Sequence, residues 1–223
     1  MPVSKRFRTR SPQFRHLEIE LHRLRTHMLP RKPSPTGVYR ESVVSRTFGY
    51  RVLAHAEFEY YFEERAKEIC IWCIKSWKRD SKASKSLSTL MSYYGYEMES
   101  PKHSKGVIAA ADKSRWLSDI SFDSRINRAS RLFHQAISVN HGVKEHNIVQ
   151  MLLPMGIDYD DLDAAWLAAI DSFAQDRGSV AHVSGSVNRL GSVPDPFTAI
   201  HTVENVLLPG AKEIDALINS LKR

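Results

Sequence analysis

Arg177 and His182, with Gly-Ser-Val-Ala between them, are the residues of this chain whose types and spacing suit chemistry on RNA. A guanidinium stays charged and forks onto phosphate oxygens, while an imidazole exchanges a proton near neutral pH. Together they are sufficient groups to cleave a phosphodiester without a metal. Five steps along a regular helix leave the two side chains about 140° apart. They converge only if the helix breaks near Gly178 or if a second chain supplies the missing partner. The plainer reading is a surface Arg near a helix end beside a capping or core His.

The elements that must position this pair read as helices throughout. Leu162, Trp166, Ile170 and Phe173 form the apolar stripe of a helix leading into Arg177. Ahead of it, Asp158-Tyr-Asp-Asp-Leu-Asp163 lacks the Gly and the distal Glu of a calcium loop and reads as N-terminal capping. Further upstream, residues 39–78 carry one long helical pattern with Gly49 as its weak point. Residues 78–105 read as Ser- and Lys-rich loop with one short helix, residues 126–139 as an amphipathic helix, and residues 144–153 as a short one. After Pro194 and Pro196 a last helix is expected from Phe197 to Leu221, kinked or interrupted at Pro209-Gly210. No alternating strand pattern and no internal repeat occurs, so the fold class is all-α.

At the other end, Ser11-Pro12 reads as an N-cap and first helical residue. Phe14, Leu17, Leu21, Leu24 and Met28 follow at three-and-four spacing, ending at Pro30. Residues 30–37 read as a Pro-rich linker. The division expected is therefore 1–37, a basic arm with an amphipathic helix and linker, and 38–223, the helical domain.

Charge is unevenly placed along the 223 residues. The first 32 hold nine Lys or Arg against two acids, and the remainder carries 23 of each sign. The entire net charge of +7 therefore lies in this arm. Such an arm suits a polyanion through phosphate contact and counterion release, or else serves as a solvated tail. Lys5, Arg6, Arg8 and Arg10, with Arg189 beyond the Arg–His pair, are the candidate RNA contacts.

Cys70 and Cys73 are the only cysteines. One Cys-x-x-Cys cannot complete a four-ligand zinc site, and on a helix the two share a face, so core packing is expected. Two thiols without a disulfide framework suit a reducing cytoplasm. No apolar run reaches membrane-span length, and no secretory h-region follows the basic N-terminus. His16, His22 and His27 fall on different helix faces, and the zinc-protease, phosphate-loop and serine-elbow signatures are absent. Neither a cofactor nor a metal is expected.

Three stretches resemble the HEPN superfamily, and within it the RiboL-PSP-HEPN type. They are Leu53-Ala-His-Ala-Glu-Phe-Glu-Tyr-Tyr-Phe-Glu-Glu-Arg65; Asn147-Ile-Val-Gln-Met-Leu-Leu with Gly156-Ile-Asp; and Asp176-Arg-Gly-Ser-Val-Ala-His182-Val-Ser-Gly185 with Asp195-Pro-Phe-Thr-Ala-Ile and Glu213-Ile-Asp215. The resemblance implies an up-and-down helical bundle that dimerises and brings two Arg–His pairs into one cleft. It further implies a metal-independent endoribonuclease of a toxin, antiviral or RNA-processing system, restrained by an antitoxin or other regulatory protein. On that basis Arg177 would polarise the scissile phosphate and His182 would move the proton of the attacking 2′-OH. The family usually sets a polar residue after the Arg, where this chain has Gly178. Some members do not cleave and instead bind RNA, a nucleotide or a protein partner.

Overall fold

The computed structural model describes residues 10–34, 37–95, 122–181 and 195–222. Among them every regular element is helical, as the periodicity predicts. Helix α1 (Pro12–Met28) starts where Ser11 accepts the Phe14 N–H at 3.0 Å, with Pro12 at the position where a missing N–H costs nothing. It ends at Leu29, which turns extended ahead of Pro30.

Helix α2 (Glu41–Asp80) is the spine of the fold, its 40 residues spanning about 60 Å. The expected weak point at Gly49 does not interrupt it. A Cβ there would stand 2.8 Å from the Met28 methyl carbon, the far end of a flexible side chain that packs over this position. Contacts of Phe14 with Tyr61 at one end and Met28 with Gly49 at the other make α1 and α2 antiparallel. Phe14, Leu17, Leu21 and Leu24 are all buried in the same core as α2. The seam that the sequence places on an appendage is thus part of the bundle, and the hydrophobic core extends back to Phe14.

Helix α3 (Lys85–Tyr94) is the short helix expected in the Ser-rich stretch, capped by Ser84 onto the Leu87 N–H at 3.2 Å. Helix α4 (Phe122–Ser138) buries Ile126, Ala129, Phe133 and Ile137. A turn through Gly142, whose φ of 138° disfavours any side chain, leads into α5 (Glu145–Leu152). Helix α6 (Ala164–Ala181) begins with the Asp163 carboxylate accepting the Trp166 N–H at 2.9 Å, the capping role predicted for the acidic run. Phe58 against Phe173 and Phe62 against Trp166 set α6 antiparallel to α2.

The C-terminal rod comprises α7 (Pro196–Ile200), a π-helical stretch (His201–Leu207) and α8 (Leu208–Ser220). The interruption expected at Pro209-Gly210 takes this form. A proline inside a helix offers no N–H and crowds the preceding turn. Here the turn just ahead of it is widened, with the Leu208 N–H bonded to the Val203 carbonyl five residues back. The Trp166 indole N–H caps the Leu207 carbonyl at 3.0 Å. Its ring lies where a side chain at position 210 would be, 2.0 Å from an added Cβ, so only glycine fits.

One buried polar knot ties both ends of the chain to α2. Arg65 is fully buried, with its Nε 3.0 Å from Asp215 Oδ1 in an ion contact off the hydrogen-bond axis. Its other nitrogens reach Glu68 and Asn219. Asp215 also accepts from the Ser11 hydroxyl at 2.6 Å, the Ser11 N–H at 2.9 Å and the Tyr61 hydroxyl at 3.2 Å.

Candidate active site

Arg177 lies in the last turns of α6, four residues after Phe173. The helix does not break at Gly178; it runs on through it to Ala181. His182, Arg189, Lys5, Arg6 and Arg8 lie outside the described residues, as do the side chains of residues 176–181. Arg10 is described, and its guanidinium is held by both Glu18 oxygens at 2.8 Å. It therefore meets a polyanion with one carboxylate already on it.

The turns of α6 that precede Arg177 are braced by a polar platform. Phe173 carries Arg51 over its ring face at 5.4 Å and His55 stacked at 6.1 Å. His55 is buried, and its Nδ1 faces Glu59 Oε2 at 3.6 Å. One turn further along α2, Glu63 accepts from Asn140 at 3.2 Å, and Asn140 in turn accepts from Asn147 at 2.9 Å. Asn147 takes the Lys144 N–H at 3.1 Å, and Asp171 takes the Glu145 N–H at 3.1 Å. The turn between α4 and α5 is thereby clamped to α2 and α6. Sequence reasoning passes over His55 and Arg51. The signal was the spacing Arg51, His55, Glu59, Glu63, four apart and so on one helix face.

The cysteines are core groups, as expected. Both are buried, and the Cys73 thiol donates to the Cys70 carbonyl at 3.1 Å. Burial, with Cys70 beside it, pushes the Cys73 thiol up to about 12, and burial also raises Cys70. Neither is a nucleophile near neutral pH. Among the described residues no three His, Cys, Asp or Glu side chains group as a metal site. No described helix is long and apolar enough to cross a membrane.

An all-α bundle whose sixth helix carries an Arg with a His five residues on has the features of a HEPN-type module. The chain belongs to the RiboL-PSP-HEPN family, whose model matches residues 17–204, a span that includes Arg177, His182 and most of α1. No match is found among curated proteins or among solved structures.

Proposed function

We propose that the protein is a metal-independent endoribonuclease, acting as a homodimer in which Arg177 of one protomer works with His182 of its partner. The observation that carries this reading is the unbroken course of α6 through Gly178. Continued one residue further, a regular helix would set position 182 about 140° from position 177, so a two-fold axis is the economical way to join the two groups. Arg177 binds the non-bridging oxygens of the scissile phosphate and stabilises charge developing there. His182 takes the proton from the 2′-OH, which attacks phosphorus as the P–O5′ bond breaks; the 5′-oxygen leaves by taking a proton from water, and the His182 imidazolium returns its own proton to solvent. The products are a 2′,3′-cyclic phosphate and a 5′-OH. Lys5, Arg6, Arg8, Arg10 and Arg189 hold the RNA backbone, and a restraining partner protein accounts for a toxin or defence role.

Incubation of total RNA in EDTA with the parent, Arg177→Ala and His182→Ala proteins tests the mechanism. Each variant should lose about 10²–10⁴-fold in rate while the parent keeps its activity in chelator. Activity that vanishes in EDTA and returns with Mg²⁺ refutes it. Retained RNA binding without cleavage by the parent identifies a HEPN binding module, consistent with a glycine following Arg177.

A further inference from the structure

Two concavities lined by described residues can be compared. The larger, about 600 Å³, lies at the C-terminal end of α2, and three of its basic residues are already paired: Arg79 with Asp80, Lys85 with Asp158, and Lys222 with Glu68. The other, about 480 Å³, lies on the outer side of the α4–α5 turn and differs in kind. Its exposed wall is His141, Lys144, His146 and Gln150 with the apolar Val139 at one edge, and no acidic side chain lines it. None of these four side chains has a hydrogen-bond or ion-pair partner among the described residues.

Their backbone, by contrast, is fixed. Asn140 and Asn147 form the floor and are committed to each other and to Glu63. The Glu145 N–H is committed to Asp171, six residues or about 9 Å of helix before Arg177. A Cβ on Gly142 would stand 3.8 Å from the His55 ring that stacks on Phe173. A rigid frame thus presents unpaired donors, one of them a fixed cation, beside the helix that carries Arg177.

We propose that this groove is an RNA subsite, holding the single strand next to the scissile phosphate. Lys144 contacts a backbone phosphate, while His141, His146 and Gln150 present planar, hydrogen-bonding surfaces to an unstacked base. The inference rests on the ribonuclease reading for its substrate but not for its test, which measures binding.

Fluorescence anisotropy of a labelled short single-stranded RNA, over a salt series, compares the full chain carrying His182→Ala with the same chain carrying His141→Gln, Lys144→Gln and His146→Gln as well. The added changes should weaken binding about ten-fold at low salt and reduce the salt slope by about one, with Lys144→Arg alone keeping parental affinity. If the triple change shifts the melting midpoint, Lys144→Gln alone carries the same comparison. Parental affinity and slope in the variant overturn the subsite while leaving the ribonuclease reading intact. Loss of binding in the variant, when the chain with His182 intact cleaves no RNA, upholds the groove and sinks the ribonuclease.

Discussion

The Arg65 guanidinium and the Asp215 carboxylate meet at 3.0 Å with both side chains out of reach of solvent. A buried ion pair is a poor source of net stability, but removing one partner strands the other. Asp215→Ala should therefore cost about 3–5 kcal/mol in urea unfolding, since it also deprives Ser11 and Tyr61 of their acceptor. Asp215→Asn, which keeps an acceptor but not the charge, should cost less. Equal losses in the two variants would show that the charge is irrelevant.

The N-terminal segment separates into two roles that mutagenesis can divide. Leu17→Ala cuts into a buried seam and should lower stability by about 2–5 kcal/mol. Changing Lys5, Arg6 and Arg8 to Gln should leave the melting midpoint unchanged and flatten the salt dependence of RNA binding. A charge variant that binds RNA like the parent at every salt concentration removes the electrostatic role.

Alkaline pH should destabilise the fold through its thiols. Burial holds the native Cys73 proton up to about 12, whereas an unfolded thiol releases it near 8.5. Between those values the native state binds more protons, so this contribution is complete below about 8.5 and declines as pH rises towards 12. Urea midpoints should fall from pH 8.5 upward, and Cys73→Ala should flatten that fall. An identical slope in the variant assigns the effect elsewhere, for instance to Tyr50, whose hydroxyl burial also holds protonated.

A cleft shared between protomers predicts complementation. Mixing Arg177→Ala with His182→Ala protein, each inactive alone, creates heterodimers in which one of the two cross-protomer Arg–His pairings regains both groups. After subunit exchange, activity should reach about a quarter of the parental rate, since half the dimers are mixed and each has one of its two Arg–His pairings intact. No recovery despite demonstrated exchange would place both groups of a working site in a single chain.

Local periodicity carried most of the helices, because each buried face recurs in its own sequence: Phe58 and Phe62 on α2, Ile126 and Phe133 on α4, Trp166 and Ile170 on α6. What stayed hidden was what those faces meet. The Phe14–Leu24 seam gives no sign that its partner is α2, nor that its cap reaches Asp215, 204 residues away. The π stretch was similarly opaque, since Pro209 announces a disturbance while the widened turn lies ahead of it. At the site, the Arg–His spacing was legible, but the platform under Phe173 was not. Its members come from α2, the α4–α5 turn and α6, and only the fold brings them together.

The knot around Arg65 also governs when the protein can become itself. A guanidinium in the middle of α2 cannot be desolvated until its carboxylate arrives, and that carboxylate is synthesised long after α2 itself. The family match stops at residue 204, eleven positions short of Asp215. A chain cut at that boundary would keep Arg177 and His182 and lose the counter-charge of its own spine. Such a fragment should accumulate as a hydrated, protease-sensitive species, and any latent activity should appear only once synthesis has passed α8.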